Sequence, residues 1–412
     1  MHTPEERQAL GTHEGRIAPE DRLRALGAAS GPQRAVVGSL LDIAKSALPR
    51  MQQGNSFVHT LRRTSAPDGW TIRAHGDNSR YATKVALGLA CLPPEEQRAI
   101  LGGLTAADLA RSGAARAEIS DDPGSVALAA WAMAEVNGEY NEPLLARLEQ
   151  LLVSGKPVAT DHCAWILLAA TSARQLGDTE KLGALAKAKL LQEQRASGLF
   201  PHRLPASYNS RVRAHVACFA DQAYPILALA RLAAAAGDTE ALMAAESCAA
   251  AIVAMQGHGG QWWWHYDIRN GSMIEGYPVY SVHQYGIAPM ALLALREAGG
   301  ADYMLELVNG LRWLARPPEI GKATLIDTEH QVIWRKVARR EPMKLVRAIS
   351  AASTLAYPGF KAPGLNAIFP PICVDYECRP YELGWLFYAW LGGNKADGKA
   401  SIVKASNIGS AT

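Results

Sequence analysis

Two segments of this 412-residue chain follow one pattern, Gln-x-x-x-Gly-x-aromatic: Gln194 to Phe200 reads QRASGLF, and Gln256 to Trp262 reads QGHGGQW. Each lies downstream of a Gly-Asp-Thr-Glu, beginning at Gly177 and Gly237, and upstream of an acidic or imidazole residue followed by Gln, Asp221-Gln222 and His283-Gln284. These landmarks recur at intervals of 60, 62 and 62 residues (Gly177 to Gly237, Gln194 to Gln256, Asp221 to His283). A period of that size marks a repeat architecture, in which each unit buries its apolar face against its neighbours. No single residue restricts the fold as much.

Within each unit, Asp178-Thr179-Glu180 and Asp238-Thr239-Glu240 are N-cap signals that start a helix, and the glycine pattern follows its end. Ala- and Leu-rich runs begin near Ser79, Ser125, Cys163, Phe219, Tyr285 and Leu383, alternating with charged amphipathic stretches such as EPLLARLEQLLV and TEKLGALAKAKLLQEQ. Helices apolar all round belong inside, and those with one charged face belong outside. The expected fold is therefore all-α: an α/α toroid of about six helical hairpins, with small β-hairpin insertions. FVHTLRR and WTIR around Pro67-Asp68-Gly69 read as one such hairpin, and ATLIDTEHQVIWRKVARR as a second. The domain organisation expected is a polar leader over 1–33, one toroid domain over 34–395 with a basic β-hairpin insertion at 318–345, and a flexible tail over 396–412.

With 42 Lys and Arg against 39 Asp and Glu, bulk charge points to neither nucleic acid nor a membrane surface. No long apolar run or signal-peptide core is present, so the expectation is a cytoplasmic protein without stable membrane insertion. The six cysteines are thinly spread and read as free thiols. The sets Asp375, Cys378, His283 and Asp161-His162-Cys163 lack dependable zinc spacing, so no metal and no cofactor are expected. P-loop, dinucleotide and Gly-x-Ser-x-Gly motifs are absent.

In a toroid the inner helices point one set of termini at a common mouth. The residues leading them are Asp77 with Arg80 and Tyr81, Asp122, Asp161 with His162, Asp221 with Gln222, His283 with Gln284, and Glu382. Helix N-termini attract anionic groups and stabilise carboxylates. Asp122-Pro123 is explained as an ordinary cap, whereas histidine caps poorly, which singles out His283. The connections ahead of these helices carry His202, Arg203, Tyr208, Arg211, Arg213 and His215 in one, and Trp263, Trp264, His265, Tyr266, Asp267, Arg269, Glu275, Tyr277 and Tyr280 in the next. Tyr376 to Glu382, with Arg379 and Tyr381, repeats that density. Such loops suit a ligand site: aromatic faces stack on sugar rings, and Arg pairs with carboxylate or phosphate.

The QGHGGQW segment resembles the QW motif of squalene and terpenoid cyclases, and the ring of acids, histidines and aromatics resembles the six-hairpin glycosidases and the α/α-toroid polysaccharide lyases and epimerases. The Asp-rich motifs of both cyclase classes are missing: ISDD at 119–122 lacks the first acid of Asp-x-Asp-Asp, and Ser125 stands where the third acid of Asp-Asp-x-x-Asp is needed. The resemblance thus implies a carbohydrate-active enzyme for a polysaccharide or oligosaccharide, including one bearing uronic acids. In a lyase or epimerase, His283, Tyr280 or Tyr285 would remove a proton, Arg211 or Arg213 would neutralise the carboxylate, and Tyr266 or His265 would donate a proton. In a hydrolase, two of Asp161, Asp221, Asp267, Glu275 and Glu382 would be acid and base. Trp263, Trp264, Gln284, Arg379 and Tyr381 complete the expected substrate contacts. The alternatives are a divergent terpenoid cyclase and a non-catalytic toroid that binds a glycan or a protein.

Overall fold

The computed structural model describes residues 21–67 and 69–392; residues 1–20 of the expected leader and the whole expected tail lie outside the described residues. Six inner helices form a closed ring in chain order: Tyr81–Leu89, Pro123–Ala132 (continued by the wide turn Met133–Asn137), Thr160–Ala173, Ala220–Ala236, Ala288–Glu297 (opened by the wide turn His283–Ile287) and Pro380–Leu391. The outer helices are Gly31–Met51, Ala106–Glu118, Glu142–Val153, Glu180–Glu193, Thr239–Ala254 and Met304–Ala315. Patterning explains the two layers. Every residue of Tyr81–Leu89 is buried, whereas Glu142–Val153 buries only the stripe Leu144, Leu145, Leu148 and Leu152. The ring closes where the first and sixth inner helices touch backbone to backbone: a Cβ on Gly88 would lie 2.0 Å from the Gly384 carbonyl oxygen. Among the described residues, no helix is long and apolar enough to cross a membrane.

The duplicated pattern is a clamp between successive units. Gln194 donates its side-chain amide to the carbonyls of Gly198 (2.8 Å) and Ala244 (2.9 Å) on the next outer helix. Gln256 repeats this with Gly260 (3.0 Å) and Glu306 (2.9 Å). Gly198 and Gly260 have φ of 84° and 97°, and a Cβ there would meet the carbonyl oxygens of Ser247 and Asn309 at 2.5 and 2.1 Å. Glycine is thus required twice over, for the left-handed backbone and for the close approach. Phe200 and Trp262 are then fully buried, and the Gln after each leader grips their backbone: Phe200 N–H donates to Gln222 Oε1 (2.8 Å) and Trp262 N–H to Gln284 Oε1 (3.4 Å). Gln284, expected to touch substrate, is a buried structural amide.

The far mouth, at the C-terminal ends of the inner helices, is closed by a satisfied polar cluster. Glu135 accepts from Trp131 Nε1 (2.6 Å), Arg231 Nη1 (2.6 Å), Tyr388 OH (3.0 Å) and Ser172 Oγ (3.1 Å), tying four inner helices together. Residues 21–29 of the expected leader form a helix whose buried Arg22 pairs with Glu297 at 2.5 Å and donates to the Ala389 carbonyl at 2.8 Å. The inner helices are thus tied together at their C-terminal ends, and the residues that lead them stand at the opposite, N-terminal mouth.

Over that mouth lie the long outer-to-inner connections. Strands Ser56–Ala66 and Gly69–Asp77 form the first expected hairpin, Ala66 opposite Gly69. The second expected hairpin is shorter than its alternation suggested. Ile326–Asp327 pairs with Val332–Ile333, but the chain then bends, and Lys336–Ala338 joins Val279–Tyr280 and Cys373–Asp375 in another sheet. Its basic residues face internal acids: Lys336 pairs with Asp375 at 2.9 Å and Arg339 with Glu275 at 3.0 Å.

Candidate functional site

Four carboxylates stand at the first turns of inner helices, and their surroundings differ. Asp122 caps the second inner helix, accepting from Gly124 N (3.3 Å) and Ser125 N (3.1 Å), and holds Arg80 Nε at 2.6 Å. Against the raising effect of burial, the hydrogen bonds of Arg80 and of the Ser125 hydroxyl (2.6 Å) and the Arg80 charge hold its carboxyl well below the usual carboxylate range. Glu382, in the sixth, is 1% exposed; Arg335 Nε reaches its Oε1 at 3.3 Å while Oε2 has no partner, and burial raises its pKa. Asp221, in the fourth, is equally buried and also raised by burial. It accepts the Cys218 amide at 2.7 Å and holds His202 Nδ1 at 3.0 Å. Asp161, in the third, is different: it is partly exposed, has no Arg or Lys partner, and accepts only its neighbour's amide, His162 N, at 2.9 Å.

His202 connects two of these acids. Its ring is half exposed, and the hydrogen bond and charge of Asp221, then the charge of Asp161, raise its pKa against the effect of burial. Asp161 in turn is close enough to act electrostatically on Asp221, Lys84 and Tyr224. One corner of the mouth therefore holds an accessible carboxylate beside an imidazole that is anchored through Nδ1 by a buried acid.

Below this corner is an aromatic floor. The Lys84 ammonium sits 4.6 Å from the Trp165 ring centre, 4.8 Å from Tyr381 and 5.8 Å from Trp385. Tyr381 packs on Tyr81 at 4.9 Å, and His162 stacks on Trp165 at 5.2 Å. Lys84 is buried, and its pKa is lowered to about 7 by desolvation, then by Arg80. Sequence patterning passes over Lys84; its signal is a single cation inside the otherwise apolar run YATKVALGLA.

The opposite wall is apolar and largely sealed. His283 stacks on Phe219 (4.6 Å) and Trp264 (5.8 Å), its Nδ1 has no partner, and burial followed by the nearby charge of Arg335 pushes its pKa down to about 3. Tyr280 lies 4.7 Å from Trp264 and under Arg335 at 4.9 Å, with its pKa raised by burial. His265 is buried, and desolvation then Arg213 lower its pKa well below the ordinary value. Tyr266 is a core residue. None of these four, expected to act as bases or donors, is both accessible and poised to exchange a proton near neutral pH. Tyr285, buried with its pKa raised well above the ordinary value, is in the same position.

Several other expected contacts lie off the axis. Arg211 and Arg213 are exposed on the rim, Arg213 reaching His265 Nε2 only at 3.5 Å. Asp267 is buried against Arg269 at 2.7 Å and Glu275 against Arg339, so both serve the loops. Arg379 holds Glu377 at 2.8 Å and borders the floor through Tyr81 OH at 3.5 Å. Trp263 lines a separate rim cavity of about 410 Å³ with Tyr277, Arg339 and Pro363.

Among the described residues, His202, Cys218 and Asp221 could present one metal-ligand atom each, all within 4.8 Å of one another. An N, S, O set suits zinc in composition. Here His202 and Asp221 satisfy each other as an ion pair, Asp221 also accepts the Cys218 amide, and these three supply fewer protein ligands than a closed structural zinc site takes. The sets weighed from sequence do not assemble: Cys163 bonds the Ala186 carbonyl in the core, and Cys378 is buried.

No family model and no curated protein matches the sequence. Solved structures do share its fold. An unsaturated glucuronyl hydrolase specific for heparin superposes with a TM-score of 0.50 at 14% identity, covering 86% of this chain and 96% of that one. The unsaturated glucuronyl hydrolase of Bacillus sp. GL1 gives 0.50 at 13%, covering 87% and 96%. A possible member of the GH105 family from Salmonella enterica gives 0.51 at 12%, covering 95% and 98%. At such identities the likeness establishes the architecture, an α/α toroid of helical hairpins with small strands.

Proposed function

We propose that the chain is a glycan-active enzyme that hydrolyses a glycosidic bond at the axial mouth, with Asp161 as base and His202 as acid. The observation that carries this reading is the isolation of Asp161. It is the one first-turn carboxylate of the inner helices that is accessible and without an Arg or Lys partner, and it stands beside an imidazole whose pKa the Asp221 hydrogen bond and charge raise. In the step proposed, Asp161 takes a proton from water as the water oxygen bonds the anomeric carbon. The bond to the leaving oxygen breaks, and that oxygen receives the proton of His202 Nε2. Asp221 acts only through His202, as a positioning residue.

Three features support hydrolysis of a carbohydrate over the other readings. The floor offers the partly exposed Tyr381 as a stacking face and gathers Lys84, Arg80 and Asp122 around it, charged groups that a bare polyene could not solvate. The lyase and epimerase readings need a base beside the sugar carboxylate, and their candidates are a neutral, buried His283 and tyrosines whose pKa burial has raised. Proteins described as glucuronyl hydrolases use the same architecture.

The test is incubation with a panel of neutral and acidic oligosaccharides and polysaccharides, following reducing ends together with absorbance in the unsaturated-uronate band. Hydrolysis gives new reducing ends without the chromophore, and Asp161→Asn abolishes them. Reducing ends accompanied by a rising chromophore would assign a lyase instead. Tight binding without turnover of any member would assign a non-catalytic glycan receptor.

A further inference from the structure

A cation buried in a protein is ordinarily paired, because desolvation of an isolated ammonium is costly. Lys84 breaks this rule. It is 7% exposed, and among the described residues no hydrogen bond or ion pair reaches its Nζ. Three aromatic rings at 4.6, 4.8 and 5.8 Å compensate in part. The charged groups acting on it are Arg80 from the start of its own helix, Asp122 and Asp161 from the second and third inner helices, and Glu382 from the sixth. Each has a nearer partner of its own: Asp122 and Arg80 hold one another, Glu382 is held by Arg335, and Asp161 bonds the His162 amide. The ammonium therefore lies near the N-terminal mouth of the ring with no anion of the protein assigned to it.

We propose that Lys84 is the anion subsite of this mouth: it docks the negatively charged group of a sugar that bears a single charge, so that the glycan acted on is an acidic one. The proposal rests on the glycan reading above for its sugar, and on the Lys84 environment alone for its charge. A single charge fits better than a double one, because the cost of desolvating an anion rises with the square of its charge whereas its attraction to one ammonium rises only linearly. A uronate and a sulfate ester share this chemistry. The exposed Arg211 and Arg213 at the rim, expected from sequence to neutralise a carboxylate, are left to contribute only long-range attraction.

Binding should weaken as pH rises. With the pKa lowered to about 7, the ammonium is populated below that value and lost above it, although a bound anion raises the value in the complex. The experiment measures dissociation constants of the full chain for glucuronate, glucose 6-sulfate and glucose at pH 6 and pH 8.5, in wild type, Lys84→Met and Lys84→Arg. Wild type should prefer at least one charged sugar over glucose by about tenfold at pH 6, which a single well-placed charge supplies, and less at pH 8.5. Lys84→Met should keep its melting temperature and lose the preference, while Lys84→Arg should hold it at both pH values. Whichever charged sugar keeps the preference identifies the group. A preference that persists in Lys84→Met, or its absence from wild type, overturns the proposal. Unfolding of the Met variant would shift the decision to protection of Lys84 from reductive methylation by the charged sugars, where lack of protection overturns it. The preference is read from binding and hydrolysis from reducing-end release, so failure of the hydrolytic reading leaves this result intact, and the reverse.

Discussion

The His202 imidazole presents Nδ1 to both oxygens of the Asp221 carboxylate, at 3.1 and 3.0 Å, although the two residues lie on different elements and only Asp221 is buried. One ring nitrogen is thereby fixed, and the other is free for a substrate. The pKa of His202 is raised above about 6.5 by this pairing, so its acid form, and the stability the pair contributes, are fully present below that value and lost as pH rises through the folded-state pKa. Asp221→Asn should move the alkaline limb of the pH profile of kcat/KM downward, and His202→Gln should remove that limb along with most activity. An unshifted limb in Asp221→Asn would dissociate the pair from catalysis.

Gly260 and Gly237 have similar left-handed backbones, φ 97° and 68°, but different surroundings. A Cβ on Gly237 meets nothing within 4 Å, whereas one on Gly260 meets the Asn309 carbonyl oxygen at 2.1 Å. Gly237→Ala should cost about 1 kcal/mol, the price of the backbone conformation alone. Gly260→Ala should cost more than about 3 kcal/mol by parting two repeat units. Chemical denaturation of both variants measures the difference.

Arg335 faces Glu382 at 3.3 Å, Asp375 at 3.6 Å and Glu377 at 3.8 Å while itself nearly buried. Removing it in Arg335→Met leaves Glu382 uncompensated in the wall of the mouth, a loss of about 3–5 kcal/mol. Burial already raises the pKa of Glu382, and without Arg335 it rises further. The deficit should therefore shrink as pH falls and the carboxyl takes up a proton. Melting temperatures of variant and wild type across pH 4–8 follow this.

His283 is buried among Phe219, Trp264 and Tyr280, and its pKa of about 3 leaves it neutral through the physiological range. His283→Phe should retain turnover to within about tenfold, below the range typical of a lost general base. A larger loss with the fold intact, seen by steady-state kinetics alongside a thermal melt, would return His283 to the chemistry.

The toroid was legible in the sequence because its two layers obey different periodicities and because the Gln-x-x-x-Gly-x-aromatic register repeats. Residues 194–200 and 256–262 turn out to make the same pair of hydrogen bonds, each to a carbonyl 50 residues on. The site was less legible. Register equates Asp221 with His283, and both are buried, but Asp221 faces a half-exposed imidazole whereas His283 opens a wide helical turn between aromatic rings. What separates them is the loop partner, His202 or Trp264, and loops carry no register. Lys84 was hidden for the opposite reason: an apolar run with one cation reads as a core helix, and only closure of the ring shows that this cation faces the axis. The basic insertion was legible as an insertion but its pairing was not, because the acids that hold Arg335, Lys336 and Arg339, namely Glu275, Asp375 and Glu382, are distant in sequence.

The central claim is that Asp161 performs the chemistry at the axial mouth, and the most direct measurement is reducing-end release from acidic oligosaccharides by wild type and Asp161→Asn, both checked for the same melting temperature. The account requires that Asp161→Asn fall by a factor on the order of 10²–10⁴, the usual contribution of a positioned acid or base. Equal rates in a folded Asp161→Asn variant would contradict it.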